Sequence, residues 1–193
     1  MIKKTIISGN KNYGLGMALC QKVPGADFFS RSCGGYDFSK HEARVKFAEL
    51  SCDYEVYISC SCLAQFRQTL LLEAVYQKWL ETGKSGYIIC LGSSADATVK
   101  GTQWLYPIEK KALRDYCRNL SLATLGGHGS KPTGIRITYL SPGYLQTSGA
   151  DKKHPDVQKI DLDYMAELIQ WLIQQPPNIN ISHMGLDPIQ GNL

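Results

Sequence analysis

Strand-like and helix-like segments alternate along almost the whole chain, and this alternation constrains the fold more than any other feature. Apolar and β-branched runs predict strands, and apolar residues at helical spacing predict the helices between them. The predicted strands are residues 3–8, 26–30, 54–60, 86–92 and 134–140, and the predicted helices are residues 14–22, 39–50, 63–82, 106–125 and 162–174. Such alternation is typical of a mostly parallel sheet with helices on both faces. We therefore expect a doubly wound α/β fold with three layers, α/β/α.

Two local details refine this pattern. Residues 36–38 predict a very short third strand, with no helix-length segment between it and the second strand. The crossover after the second strand is therefore predicted to be reduced. Ser39 is predicted to cap the following helix, with Glu42 three residues later completing a capping box.

Length and composition favour one ordinary domain. The chain has 193 residues, enough for a single domain over residues 1–193 with a substantial core. No apolar run is long enough to span a bilayer, and polar residues from Gly9 onward interrupt the N-terminal run before a secretory signal forms. The seven cysteines include no Cys-x-x-Cys pair, which indicates free thiols in a reducing compartment and a cytoplasmic location. The net charge of +4 comes from scattered lysines, so neither nucleic acid nor a membrane is a predicted partner.

Candidate motifs lie where the predicted strands end, and ligands of parallel sheets bind beyond those carboxyl ends. The motifs are residues 9–16, Ser30-Arg31, residues 59–61, Ser93-Ser94 and Pro142-Gly143. Residues 9–16 connect the first strand to the first helix, where glycines let a pyrophosphate approach backbone N–H groups. Glycines at such a connection also serve simple tight turns, so both interpretations of this loop stay open.

Tyr106 and Lys110 stand four residues apart in a predicted helix. Four residues turn a helix through about 400°, so the two side chains lie roughly 40° apart on one face. A phenol has a pKa of about 10 and needs a neighbouring cation to favour its phenolate near neutral pH. Lys110 can supply that cation. Taken alone, such a pair is more often a solvated helix face.

The chain resembles the short-chain dehydrogenase/reductase family through four motifs in nearly the family's order and spacing. They are Gly9 with Gly14-x-Gly16, Ser93-Ser94, residues 106–113 and residues 142–147. The resemblance implies a Rossmann-like, dinucleotide-binding oxidoreductase that interconverts a carbonyl and an alcohol by hydride transfer. It implies that Tyr106 protonates the substrate oxygen and that Lys110 also binds the nicotinamide ribose. Either Ser93 or Ser94 would orient the carbonyl.

The end of the second strand favours NADP(H) as the cofactor. In such folds an acidic residue there accepts from the ribose 2′-hydroxyl of NAD, whereas an arginine pairs with a 2′-phosphate. The chain has Arg31 at this position and Lys11 nearby, so NADP(H) is predicted and NAD(H) is the alternative. The resemblance places Asp37 beside the adenine and Thr147 at the nicotinamide amide. The predicted cofactor contacts are Gly9, Asn10, Lys11, Tyr13, Gly14, Leu15, Gly16, Ser30, Arg31, Ser32, Asp37, Ser59, Cys60, Ser61, Tyr106, Lys110, Pro142, Gly143 and Thr147.

The chain also departs from the family pattern. Four residues separate Gly9 from Gly14, one more than usual, and the family's Asn-Asn-Ala-Gly segment is here Ser59-Cys60-Ser61-Cys62. Gln65 takes the place of the helix asparagine that supports proton transfer in the family. The segment between the 142–147 motif and the last helix is short, so the lid that covers substrate is predicted to be nearly absent.

Pro107 affects where the catalytic helix begins. Proline disfavours the α conformation at the residue before it and is tolerated best as the first helical residue. Tyr106 is therefore predicted to lie at the helix cap.

These features support more than one function. The retained Tyr106 and Lys110 favour an enzyme acting on a small carbonyl or alcohol, whereas the altered 59–62 segment and short lid favour a non-catalytic dinucleotide-binding or interaction module. A redox or metal site at Cys60 and Cys62 is a third alternative, although no metal ligand set is predicted. The residues assigned no chemistry include His41, His128, His154 and His183. By family analogy, helices 63–82 and 106–125 would pair in a homodimer or homotetramer.

Overall fold

The structure, a computed structural model, describes residues 3–99, 101–126, 129 and 131–190, and His128 lies outside them. The strands are β1 Thr5–Ser8, β2 Asp27–Phe29, β3 Val56–Ser59, β4 Gly86–Leu91, β5 Ile135–Pro142 and β6 His183–Leu186. The helices are α1 Gly14–Lys22, α2 His41–Ser51, α3 Arg67–Glu81, α4 Leu105–Thr124, α5 Ser148–Lys153 and α6 Leu162–Gln174. A 3-10 helix, Ser94–Ala97, follows β4.

The strands form one sheet in the order β2-β1-β3-β4-β5-β6, and each neighbouring pair is parallel. The chain moves outward from β1 to β2 and then returns through α2 to β3 on the other side of β1. Ligands bind at such a reversal of strand order, beyond the carboxyl ends of the strands. The register aligns those ends, because Ser8 lies opposite both Phe29 and Ser59. The predicted doubly wound α/β/α fold is confirmed, and the connection from β2 to β3 contains one helix, α2.

Alternate residues of the central strands bury opposite faces of the sheet, as the period of a strand requires. Ile6, Tyr57 and Ile88 belong to an apolar cluster shared with α2, α3 and α4. Their neighbours Ile7, Ile58 and Ile89 belong to a second cluster shared with α1 and α6. All six side chains have 0% exposure, so the central strands are covered on both faces. This buried sheet holds the loops at its carboxyl edge in fixed positions.

The predicted strand at residues 36–38 is wrong. Tyr36 and Phe38 instead pack their rings against Phe47 of α2, with centroid distances of 6.0 and 5.1 Å. The predicted capping box is also wrong. The hydroxyl of Ser39 donates to Asp37 Oδ1 at 2.7 Å, and α2 begins two residues later with Lys40 as its N-cap.

The predicted start of α3 is four residues early. Gln65 and Phe66 adopt left-handed backbone conformations, with φ of 60° and 57°, so a helix from residue 63 is excluded. The backbone N–H of Phe66 donates to the buried Glu109 carboxylate at 3.0 Å. That contact ties the start of α3 to α4.

Two elements carry too little local signal to be predicted. Strand β6 reads His-Met-Gly-Leu, without a β-branched residue, and forms because its backbone pairs with β5. Helix α5 has only six residues. Among the residues that the structure describes, no helix combines the length and apolar character needed to span a membrane.

Candidate functional site

A cleft of about 1290 Å³ opens at the carboxyl edge of the sheet. Its volume exceeds the range of roughly 300–1000 Å³ that is usual for drug-sized ligands, so it has room for an extended molecule. The predicted site residues that line it are Gly9, Asn10, Tyr13, Gly14, Leu15, Gly16, Ser30, Arg31, Ser32, Asp37, Cys60, Ser61, Ser93, Ser94, Tyr106, Lys110, Pro142, Gly143 and Thr147. The fold thus brings residues from six separate segments to one continuous cleft.

The glycine loop wraps tightly over the start of α1. A Cβ added to Gly16 would lie 2.1 Å from the carbonyl oxygen of Asn10, so only glycine fits beneath the loop. Gly14 has a φ of +53°, a left-handed conformation that glycine adopts without strain. Tyr13 is the N-cap of α1, and no side chain caps the helix. The N-terminus of α1 therefore offers uncapped backbone N–H groups at the cleft, which suits an anionic phosphate.

Tyr106 and Lys110 both lie in the first turns of α4 and line the same cleft. The Lys110 ammonium is 5.4 Å from the centroid of the Tyr106 ring. Tyr106 is 40% exposed, whereas Lys110 is 4% exposed. The helix begins at Leu105, so Tyr106 is a helical residue rather than the predicted cap. Pro107 is accommodated because the first helical N–H groups need no partner within the helix.

Gln68, rather than the predicted Gln65, supports Lys110. The Lys110 ammonium donates to Gln68 Oε1 at 2.7 Å. The amide nitrogen of Gln68 donates to the Leu91 carbonyl at 2.8 Å and to Ser59 Oγ at 3.2 Å. Gln68 is buried, so this one side chain joins α3, α4 and the ends of β3 and β4. The sequence offered no signal for it, because its position depends on the late start of α3.

The Ser93-Ser94 segment is held from beneath by Tyr139 and Asp96. The backbone N–H of Ser93 donates to the Tyr139 hydroxyl at 3.4 Å. Buried Asp96 accepts from the Ser141 hydroxyl at 3.1 Å, and the Arg114 guanidinium lies 3.8 Å away. A Cβ on the preceding Gly92 would lie 2.0 Å from the Tyr139 ring, so the ring occupies the space that a side chain would need.

Burial, rather than the Lys110 charge, sets the direction of the Tyr106 pKa shift in this structure. Burial raises the pKa of Tyr106 above its usual value of 10.0, and the Cys62 thiol and Asp96 act in the same direction. The Ser93 hydroxyl acts in the opposite direction. The phenol is thus protonated near neutral pH. Of the two candidate serines, Ser93 is the one whose hydroxyl acts on the phenol.

The cleft wall beyond β2 contains an ion pair. The Arg31 guanidinium donates to Asp37 Oδ1 at 3.0 Å, and the hydroxyls of Ser30 and Ser32 are 3.2 Å apart beside it. The same Asp37 oxygen accepts from the N–H and the hydroxyl of Ser39. Hydrogen bonds from Ser39 and Arg31 lower the pKa of Asp37 to about 2, so the carboxylate is ionised.

Two predicted cofactor contacts lie outside this cleft. Lys11 lines a smaller cavity instead, and Ser32 lines both cavities. Ser59 is fully buried and bonded to Gln68, because the last residue of β3 faces the packed side of the sheet. Lys11 and Ser59 were predicted as cofactor contacts, but neither lines the main cleft.

The cysteines of the 59–62 segment are free thiols. Burial raises the pKa of Cys60 to about 12, which opposes thiolate chemistry. Within the described part of the chain, no cluster of three or more His, Cys, Asp or Glu side chains is arranged to hold a metal ion.

The fourth motif closes one side of the cleft. Thr147 is the N-cap of α5, where its hydroxyl accepts from the N–H of Ala150 at 3.2 Å. Its methyl group lies 3.7 Å from the position of a Cβ on Gly14, so α5 sits next to the glycine loop. The six residues of α5 are the helical part of the connection from β5 to α6. The segment that covers the cleft is therefore small, as the short spacing predicts.

Comparisons with known proteins agree with this architecture. No protein-family model matches the chain. A short-chain dehydrogenase from Burkholderia cenocepacia J2315 in complex with NADP has a TM-score of 0.74 at 14% identity, over 95% of this chain and 87% of that one. The chain has the short-chain dehydrogenase/reductase fold. A second structure with this fold, 4-hydroxyisoleucine dehydrogenase complexed with NADH, has a TM-score of 0.70 at 17% identity, over 95% and 96% of the two chains.

Sequence relatives point in the same direction. An uncharacterised oxidoreductase of Staphylococcus aureus strain MW2 is 24% identical over 159 residues, which are 81% of this chain. The chain spans 66% of the length of that relative. The chain therefore has the short-chain dehydrogenase/reductase fold at low sequence identity to these proteins.

Proposed function

We propose that this protein is an oxidoreductase of the short-chain dehydrogenase/reductase type that interconverts a carbonyl and an alcohol with NADP(H). The observation that carries the proposal is that Tyr106, Lys110 and Ser93 line one cleft together with the glycine loop. A proton donor and a phosphate-binding turn in one cleft are the two parts that such a reaction needs.

The residues present fit a nicotinamide dinucleotide. The uncapped start of α1 and the closely packed Gly16 form a cradle for a pyrophosphate. The ion pair beyond β2 would offer charged groups to the adenosine ribose. Thr147 lies beside Gly14 of the glycine loop, and Lys110 lies beside Tyr106. When bound, the nicotinamide supplies the hydride.

Three side chains of this protein would act at the substrate oxygen or beside the phenol that protonates it. Tyr106, protonated near neutral pH, donates the proton to that oxygen during reduction. Ser93, whose backbone is fixed by Tyr139, donates a hydrogen bond that orients the carbonyl. Lys110, held by Gln68, supplies positive charge near the phenol without moving.

Arg31 favours NADP(H) over NAD(H), since a guanidinium pairs well with a phosphate. Solved neighbours of this fold include complexes with either dinucleotide. The preference therefore rests on Arg31 and its surroundings in this chain.

A non-catalytic dinucleotide-binding module is the second candidate. The observation that favours it is the 59–62 segment, where the Cys62 thiol raises the pKa of Tyr106. Titration with NADPH and NADH by fluorescence, followed by a panel of aldehydes and ketones, separates the two candidates. We expect micromolar binding of NADPH and turnover of at least one carbonyl. Tight binding without turnover of any substrate would support the module instead.

The raised pKa of Tyr106 predicts opposite pH profiles for the two reaction directions. Reduction needs the protonated phenol, so its kcat/KM should stay level through neutral pH and decline only as pH rises past the raised pKa. Oxidation needs the phenolate, so its kcat/KM should rise about tenfold per pH unit until that pKa is reached. Measuring both directions with one substrate pair checks this, because kcat/KM reports ionisations of the free enzyme. An oxidation profile that levels off near neutral pH would contradict it.

We also propose a homodimer through residues 63–82 and 106–125. Apolar side chains are exposed on α3 at Leu70 and on α4 at Ile108 and Leu122. Burying them against a second copy would remove apolar surface from water. A monomer on a sizing column would count against it.

A further inference from the structure

The ion pair at the end of β2 brings opposite charges together in the wall of the cleft, at the part that the proposed function assigns to the adenosine ribose. The Arg31 side chain is 76% exposed, and the Asp37 side chain is 27% exposed. Asp37 is fixed by its own loop, because Ser39 donates to the same oxygen from its N–H at 3.1 Å and from its hydroxyl at 2.7 Å. The guanidinium is therefore the partner that can turn toward a ligand.

The loop that carries Asp37 is itself held in place. The Arg44 guanidinium donates to the carbonyl oxygens of Phe38 and Ser39, at 2.9 and 3.1 Å. Asp37 and Ser39 both line the cleft together with Arg31. A 2′-phosphate that approached Arg31 would thus meet a carboxylate that stays where it is. Like charges this close repel each other, and a fixed repulsive group is a common source of specificity.

We propose that Asp37 is a specificity-determining residue that narrows the preference for NADP(H) over NAD(H) by competing with the 2′-phosphate for Arg31. This inference rests on the proposed function, because it assumes that the cleft binds a dinucleotide. The 2′-phosphate of NADP(H) must share the Arg31 guanidinium with Asp37. It must also bind close to the negative charge of the Asp37 carboxylate. NAD(H) has no phosphate at this position, so the same carboxylate changes its binding free energy little.

Asp37→Asn tests the proposal without rebuilding the loop, since the asparagine side-chain oxygen can still accept both bonds from Ser39. NADPH and NADH are titrated into wild type and variant, with nucleotide fluorescence as the readout. We expect the Kd for NADPH to fall about fivefold to tenfold, the scale of one exposed like charge, with NADH changing less than about twofold. The effect should shrink as salt is raised, because the groups are exposed.

Two further variants complete the design. Glu42→Gln removes the same charge from an exposed position on α2 and should leave both affinities unchanged. Asp37→Asn in an Arg31→Ala background should lose most of its effect on NADPH, because the competition for the guanidinium is gone.

Each outcome has a distinct meaning. Weaker or unchanged NADPH binding in Asp37→Asn, with dinucleotide binding by the wild type intact, overturns the role of Asp37 and leaves the proposed function standing. Weaker NADH binding also overturns it, because the carboxylate would then hold a ribose hydroxyl. A folded wild type that binds neither dinucleotide overturns the proposed function and this inference with it.

Discussion

Replacing Tyr106 with phenylalanine is expected to lower kcat for carbonyl reduction by about 10²- to 10⁴-fold, the usual contribution of a positioned proton donor. The ring would remain against the Lys110 ammonium, 5.4 Å from its centroid, so packing changes little. Only the hydroxyl is lost, and with it the proton that the substrate oxygen receives. The affinity for NADPH should stay within about threefold, because the glycine loop and the end of β2 are untouched.

Tyr144→Phe is the matched control for this experiment. Tyr144 also lines the cleft and is 45% exposed, similar to Tyr106, so it loses the same hydroxyl from the same cleft. Its activity should remain close to that of the wild type. A Tyr106→Phe variant that keeps more than about a tenth of the wild-type kcat would contradict the assigned role, because a proton donor contributes more than that.

Replacing Gln68 with leucine is expected to reduce the free energy of unfolding by roughly 2–4 kcal/mol, because a hydrogen bond to a buried ammonium is lost and two acceptors lose their donor. Lys110 would be left with an uncompensated charge at 4% exposure. The ammonium would move toward water. That movement takes positive charge away from Tyr106, so kcat should fall together with stability. Urea denaturation and steady-state kinetics measure the two effects.

Gln65→Leu provides the control, since it makes the same chemical change three residues away. Gln65 is exposed, so its replacement should change stability by less than about 0.5 kcal/mol. If Gln68→Leu proved as stable and as active as Gln65→Leu, Gln68 would have no role in holding Lys110.

Much of the fold followed from the sequence because strand and helix periods are local. The central strands are apolar throughout, and α1 and α6 begin and end at the predicted residues. The false strand at residues 36–38 shows the limit of this reasoning. Tyr36 and Phe38 have strand-like side chains, but packing against Phe47 on α2 determines their conformation, and that contact is invisible in a local pattern.

The candidate site likewise contains residues that the sequence predicts and residues that it does not. Most predicted cleft residues lie in motifs at strand ends, so topology alone brings them together. Gln68 gained its position from a contact with the distant Lys110. The Asp37–Arg31 ion pair joins residues six apart, but it depends on the conformation of the loop after β2, which residue spacing does not show. The direction of the Tyr106 pKa shift likewise required knowledge of burial, which the spacing of two residues does not contain.

The ring of Tyr139 fills the space above Gly92, and its hydroxyl contacts both the Ser93 N–H and the Lys110 carbonyl. One side chain of β5 therefore ties together the two segments that carry the proposed chemistry. A saturation screen should find few tolerated substitutions at this position and at Gly92. Substitutions that change the preferred substrate would then lie at the rim of the cleft, whereas Tyr139 and Gly92 would stay unchanged.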